Sequence, residues 1–261
     1  MMENTMVSGM QVSQRTEINV EILRRDGSEA KPYRQHFRIP YRPGMNVISV
    51  LMEIQVNPVT ADGKTVAPVV WDCSCLEEVC GACSMFICGR PRQACSALID
   101  QLPDPIILEP LHKFPVVRDL VVDRQVMFDN LKRVKAWIHI DGTYPIGSGP
   151  RMNEKIREKM YAISKCMTCG CCLSVCPQVN DRSAFVGAAP IAQVRLFNAH
   201  PTGSYMKSER LDALLEDGGV AACGNAQNCV RACPKQVPLA ESIADVGMQT
   251  TLRAAKRFLF G

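Results

Sequence analysis

No run in this sequence is apolar for long enough to cross a bilayer. The longest stretch without a charged side chain is residues 166–180, and it is crowded with cysteine; a spanning helix needs roughly 18 or more apolar residues. Any tie to a membrane is therefore expected to run through a partner. Strong charge is missing too. A formal net charge of +4 over 261 residues, with no clustered basic face, excludes the footprint of a nucleic-acid binder. The four histidines, His36, His112, His139 and His200, each stand alone, without a second residue at metal or catalytic spacing. GxGxxG, GxxxxGK[ST] and GxSxG are all absent, which removes the usual signatures of dinucleotide, phosphate-loop and serine-hydrolase chemistry. The opening MMENTMVSGMQVSQRTE has neither the basic start nor the apolar core of a secretion signal. A reducing compartment is the expectation.

What is abundant is cysteine. Fourteen are present, grouped at 73–95, 166–176 and 223–233 with none between. A secreted chain with so many would suggest disulfides, but disulfide-stapled domains are typically much smaller. Tight groups at ligand spacing point instead to metal or cluster binding.

Texture divides the chain in two. INVEILRR alternates apolar and polar residues and predicts a strand, as does HFRIPYR. PGMNVISVLMEIQ has helical spacing, with Val47, Val50, Leu51 and Ile54 on one side, and VVWDCSC predicts a further short strand leading into the first cysteine group. A small α+β domain over 15–119 follows, preceded by a disordered 1–14. Residues 120–261 predict a helical domain. VVDRQVMFDNLKRVKAWI is amphipathic, DGTYPIGSGP is a Gly/Pro-rich break, and RMNEKIREKMYAISK leads helically into the second cysteine group. SERLDALLED predicts a helix with a serine cap, and PLAESIADVGMQTTLRAAKRFLF one more after the third group. Its end, with Arg253, Lys256 and Arg257, reads either as a plain amphipathic terminus or as a contact for an anionic membrane surface.

In the first group, Cys75-x4-Cys80-x2-Cys83 with Cys95 further on is the plant-type [2Fe–2S] spacing. Four thiolates hold two irons, two to each. Gly81 suits a loop that wraps closely around inorganic sulfur. Zinc is the alternative, although zinc sites usually pair two C-x2-C units. Cys73 and Cys88 fall outside the frame and read as small, partly buried apolar residues.

The second group, CMTCGCCLSVCP, is the full bacterial ferredoxin run C-x2-C-x2-C-x3-C-P at Cys166, Cys169, Cys172, Cys176 and Pro177. Cys171 lies between ligand positions and reads as structural. The third, CGNAQNCVRACP, keeps the same frame at Cys223, Cys229, Cys233 and Pro234 but holds Ala226 where a cysteine belongs. In two-cluster ferredoxins the fourth cysteine of each run serves the other cluster. That crossing gives Cys166, Cys169, Cys172 and Cys233 to a [4Fe–4S] cluster. It leaves Cys176, Cys223 and Cys229 with Ala226 as a vacant fourth position. Three thiolates suit a [3Fe–4S] cluster; the alternative is a [4Fe–4S] cluster with an outside ligand. Three clusters in one chain form a wire for single electrons rather than a site for substrate.

These motifs, CLEEVCGACSMFICG with its later AC, CMTCGCCLSVCP and CGNAQNCVRACPKQVPL, in that order and with VVRDLVVD between the halves, resemble the iron–sulfur subunit of succinate dehydrogenase and fumarate reductase. The resemblance spans about residues 16–258. It implies a β-grasp ferredoxin domain followed by a helical two-cluster domain. It also implies electron transfer from the FAD of a flavoprotein subunit, where succinate would be oxidised, through the three clusters to quinone in a cytochrome b membrane anchor. The subunit would then sit peripherally on the cytoplasmic face of the bacterial cell membrane. Ubiquinone-reducing relatives carry tryptophans soon after the proline matching Pro177 and a histidine after the cysteine matching Cys223. Here Gln178-Val179-Asn180-Asp181 and Gly224 stand in those places. Together with NAHPTGSYMKSERL, this resembles the menaquinone-linked branch. Competing readings are a free ferredoxin, which would be small and acidic, and a colourless zinc-stabilised interaction module.

Overall fold

The computed structural model describes residues 15–139 and 151–260. The expected disorder of 1–14 and the Gly/Pro-rich break at 141–150 lie outside the described residues. The first half is built on a five-stranded mixed sheet. Its strands are β1 (Glu17–Arg24), β2 (Tyr33–Pro40), β3 (Ser84–Ile87), β4 (Arg90–Gln93) and β5 (Ile106–Glu109). Their order across the sheet is β2-β1-β5-β3-β4. The one parallel pairing, Val20 against Ile106 and Ile22 against Leu108, joins β1 to β5. Alternation along β1 turns Ile18, Val20 and Ile22 inward. Helix α1 (Val47–Val56) buries Val47, Ile48, Val50, Leu51 and Ile54 in the same core. Its start is fixed by a reciprocal cap: Asn46 Oδ1 accepts from the Ser49 N–H at 2.9 Å, while Ser49 Oγ reaches back to the Asn46 N–H. This sheet with one packed helix is the expected β-grasp domain.

VVWDCSC forms no strand. Its backbone is engaged elsewhere: the Val70 N–H donates to Asp119 Oδ2 at 2.9 Å, and the Leu120 N–H donates to the Val70 carbonyl. Asp119 also accepts both arms of Arg24 at 3.0 Å, and both side chains are fully buried. This ion pair knots the end of β1 to a small hairpin of β6 (Val116–Arg118) and β7 (Val121–Val122).

The rest is helical. α2 (Gln125–Arg133) is shorter than its sequence pattern: Val122 is taken by the hairpin, and left-handed Lys135 (φ +52°) stops the far end. There follow α3 (Glu154–Ser164), α4 (Cys171–Ser174), α5 (Ala188–Ala199), α6 (Lys207–Leu215), α7 (Asn228–Ala232) and α8 (Leu239–Phe260). α5 is the buried centre, packed against α3, α6 and α8. Arg195 of α5 holds Glu241 and Asp245 of α8 at 2.7 and 2.8 Å. The serine cap expected at Ser208 is absent. A 3-10 turn over Gly203–Met206 runs straight into α6, so the helix begins at Lys207 with Met206 at the N-cap position and no side-chain cap. The two halves meet through an apolar seam that includes Phe86, Leu111, Phe114, Met127 and Leu173.

Candidate cluster-binding sites

The first cysteine group wraps the edge of the sheet domain. Cys75 and Cys80 lie on the loop, Cys83 immediately precedes β3, and Cys95 sits on a 3-10 turn after β4. Leu76, Glu78 and Gly81 are all left-handed, at φ +59°, +56° and +74°. Backbone that alternates in this way aims successive N–H groups at one point and makes an anion-binding nest, as iron–sulfur sites do. Six N–H groups point at sulfur here. Those of Glu77, Val79 and Cys80 donate to Cys75 Sγ at 3.3–3.4 Å. Those of Cys75 and Ala82 donate to Cys80 Sγ, and that of Glu78 to Cys95 Sγ at 3.3 Å. The three donors pull the Cys75 thiol down to about 7. Burial, and then a hydrogen bond with Cys83, pushes Cys95 up to about 11. One thiolate is thus stabilised by the loop alone, whereas the buried Cys95 thiol needs a cation to ionise, which is what a bound iron would supply.

The off-frame cysteines behave differently. Cys88 and Gly89, at φ +49° and +77°, form the two-residue turn between β3 and β4, as a I′ hairpin requires. Cys88 packs partly buried against the core. Cys73 is exposed rather than partly buried.

In the helical half the cysteines part into two hollows. One holds about 380 Å³ of space, open solvent included, and is lined by Cys166, Cys169, Cys172 and Cys233. The other holds about 300 Å³ and is lined by Cys176, Cys223, Cys229 and the methyl of Ala226. Each hollow therefore draws its cysteines from both runs. The thiols also sense one another across the two hollows. Cys172 is pushed well up by burial and then by the charges of Cys169, Cys166, Cys233 and, from the other hollow, Cys229. Cys229 is raised by burial and then by Cys176, with Cys223 adding to it. Cys169 is brought down to about 7, first by a hydrogen bond from the Cys171 thiol. Both loops repeat the left-handed alternation, at Thr168 and Gly170 in one and at Asn225 and Gln227 in the other, either side of Ala226. Among the described residues no three His, Cys, Asp or Glu side chains converge on the point a single metal ion would occupy. Thiolates that each hold a different corner of a cluster stand apart, so this donor set fits clusters rather than a lone zinc.

Of the residues that join the sites, the sequence marked Gly81 only for its own loop and missed Arg124 and Lys113. Gly81 touches the second ligand loop so closely that a Cβ there would lie 2.8 Å from Cys169 Cβ. Arg124 donates to the Gly81 and Ala82 carbonyls at 2.6 and 2.7 Å. Lys113 reaches across the seam to the Cys176 and Val179 carbonyls, both at 2.5 Å. Each is a long-range contact with no local signature.

Residues 19–129 match a 2Fe-2S iron-sulfur cluster binding domain and residues 162–237 a 4Fe-4S dicluster domain. The chain is 60% identical to the succinate dehydrogenase iron-sulfur subunit of Bacillus subtilis, over 95% of this chain and 98% of that one. It belongs to the family of succinate dehydrogenase and fumarate reductase iron–sulfur subunits. Like the other members it is the electron-transfer subunit of such a complex, with a [2Fe–2S] domain followed by a domain for two further clusters. It is also 30% identical to the fumarate reductase iron-sulfur subunit of Wolinella succinogenes, over 87% of this chain and 94% of that one. The fold of the subunit matches a chain of the Mycobacterium smegmatis Sdh1 complex in its apo form, with a TM-score of 0.72 over 91% of this chain and 96% of that one at 20% identity. None of its described helices is long and apolar enough to cross a membrane.

Proposed function

We propose that Cys75, Cys80, Cys83 and Cys95 hold the [2Fe–2S] cluster, that Cys166, Cys169, Cys172 and Cys233 hold [4Fe–4S], and that Cys176, Cys223 and Cys229 hold [3Fe–4S]. Bound there, the clusters supply one-electron carriers between a two-electron donor and a two-electron acceptor. The donor is the FAD of a flavoprotein subunit, where succinate is oxidised. The acceptor is quinone in a cytochrome b anchor, which ties this subunit to the cytoplasmic face of the bacterial cell membrane.

The protein's own residues set the order of the wire. Gly81 and Arg124 press the first ligand loop onto Cys169 of the second. Cys229 packs in one cluster of side chains with Cys172 and Cys233, bringing the second and third sites together. Exposed Leu76 and Val79, beside the half-open first loop, support docking of the flavoprotein there. Menaquinone is favoured as acceptor by Gln178, whose side chain lies over Gly224, so that a Cβ at 224 would come within 2.6 Å of it. These are the two places where ubiquinone-linked relatives differ.

The observation that carries the reading is the second hollow, with three thiols and one methyl. The test is EPR of the purified complex with an iron count. A three-iron signal in the oxidised protein, replaced by [2Fe–2S] and [4Fe–4S] signals on stepwise reduction, is the expected result. In Ala226→Cys a fourth thiolate completes the set. The three-iron signal should then give way to a four-iron centre of lower potential, because the added negative charge disfavours reduction. A three-iron signal unchanged in that variant would overturn the frame. A second four-iron centre in the unmodified protein, in place of the three-iron one, would make the Ala226 corner a site for an outside ligand.

A further inference from the structure

The loop that follows β5 sends three side chains into the helical half. Leu111 and Phe114 are buried in the seam. The Phe114 ring lies so close to Gly170 of the second ligand loop that a Cβ there would come within 2.9 Å of it. Lys113, half-buried between them, reaches the third site instead. Its ammonium donates to the carbonyls of Cys176 and Val179, both at 2.5 Å. These two residues are the ends of one turn, since the Val179 N–H donates to the Cys176 carbonyl at 3.2 Å. The turn carries Cys176 at its start and Gln178 near its crown. Both line the hollow that holds three thiols and the Ala226 methyl. A lysine of one domain thus grips the turn that forms one wall of a site in the other.

A lysine at an apolar seam ordinarily lays its stem along the seam and keeps its head in water. This head is spent on two backbone carbonyls. Both of its hydrogen-bond partners among the described residues are neutral, so neither cancels its charge. Drawing a charge partly out of water is costly unless something negative faces it. The proposed thiolate ligands of the third site supply that negative charge. The carbonyl oxygen and the sulfur of Cys176 belong to one residue. The ammonium on that oxygen therefore lies inside the roughly 8–10 Å over which salt screens exposed charges, and its field reaches the sulfur.

We propose that Lys113 is a fixed positive charge, lent by the [2Fe–2S] domain, that raises the potential of the [3Fe–4S] centre. The proposal rests on Cys176 being a ligand of that centre. Net charge is one of the quantities that set a cluster's potential. A positive charge beside the ligands favours the form that carries one more electron. No bond is made or broken, and the lysine keeps its protons. Lys113 is a positioning residue: it acts through the Cys176 turn and touches neither flavin nor quinone. The neighbouring Phe114 packs on the second ligand loop without a charge, so the same stretch of chain contains its own control.

The test is an EPR-monitored redox titration of the whole complex. In Lys113→Met the three-iron midpoint should fall by the equivalent of about a tenfold change in the reduced-to-oxidised ratio, ~59 mV for one electron. Lys113→Gln keeps a donor without the charge and should fall as far. Lys113→Arg keeps the charge and should stay near the unmodified value. Phe114→Leu loosens the same loop and should leave the three-iron midpoint in place. The four-iron midpoint should move less than the three-iron one in both neutral Lys113 variants. An unshifted three-iron midpoint in those two variants would overturn the proposal. A fall in Lys113→Arg or in Phe114→Leu as large as in Lys113→Met would do the same, because the seam's geometry and not the charge would then set the potential. Loss of the three-iron signal from both neutral variants would overturn it as well, since the lysine would then be needed to assemble the site rather than to tune it. If the unmodified complex has no three-iron signal, the ligand assignment fails first and the proposal with it.

Discussion

At the scale of the residue, the backbone that aims the sulfurs has no counterpart in the cysteine spacing. Spacing counts residues, whereas the nest depends on left-handed Leu76 and Glu78, two side chains for which that conformation is disfavoured. Gly81 is the exception, a glycine whose need can be stated in advance but whose reason appears only in space. A second left-handed glycine allows a clean comparison. Gly81 (φ +74°) would place a Cβ 2.8 Å from Cys169 Cβ and 2.9 Å from its Cα, whereas Gly63 (φ +82°) has nothing within 4 Å. Both alanine variants carry the left-handed penalty of roughly 1–2 kcal/mol. Only Gly81→Ala must also move backbone in a ligand loop, adding roughly 1–3 kcal/mol. Gly81→Ala should therefore lower the thermal midpoint more than Gly63→Ala and deplete the [2Fe–2S] circular-dichroism signal. Equal midpoints with full cluster content would show that the two loops are not pressed together.

At the scale of the element, periodicity found β1, β2, α1, α3 and α8 because each buries one face against one core. It failed where tertiary partners decide the backbone. VVWDCSC is apolar enough for a strand, but Asp119 takes the Val70 N–H, and Asp119 lies 49 residues further along the chain. The same Asp119 allows a comparison of two ion pairs. Arg24–Asp119 is fully buried, with Asp119 also accepting the Arg25 and Val70 N–H groups. Breaking a buried pair from one side typically costs 3–5 kcal/mol, because the remaining charge has no water. Arg253–Asp212 joins α8 to α6 at 2.7 Å, but both side chains are about a third exposed. Solvent screening limits such a pair to roughly 0–1 kcal/mol. Asp119→Leu should thus unfold at far lower denaturant than Asp212→Asn. The Asp212 contribution also has a sign in pH. The hydrogen bond from Arg253 holds its carboxyl below the usual value. Its share of stability is therefore present above about pH 3.9, the unfolded value, and disappears as pH falls below that. The gap between unmodified protein and Asp212→Asn should close in acid and stay constant near neutrality. A gap that persists in acid would place its origin in packing rather than charge.

At the scale of the whole molecule, the two halves are joined by more than an apolar seam, and charged side chains from one side close the ligand loops of the other. Arg124, at the start of the helical half, donates to both the Gly81 and Ala82 carbonyls. It lies close enough to Cys169 to help bring that thiol down. Nothing in the local sequence marks it, since an arginine before a helix is ordinarily a solvated side chain. Hydrogen bonds to a charged donor contribute about 1.5–3 kcal/mol each, so even partial loss of this pair should matter to the opening of the first ligand loop. A change of about 1.4 kcal/mol is tenfold in an opening equilibrium. If iron leaves the [2Fe–2S] site through that opened loop, Arg124→Ala should release its iron to a ferrous chelator about ten times faster than the unmodified complex. The four-iron and three-iron EPR signals should persist over the same period, because their hollows are closed by α4, α5 and α7 rather than by this contact. Simultaneous loss of all three signals would mean that the seam opens as a unit and that the first site is guarded by the docking of the domains, not by one arginine. The two outcomes separate a local clamp from a global interface, and the first is expected because Phe86, Leu111, Phe114 and Met127 stay buried across the seam without Arg124.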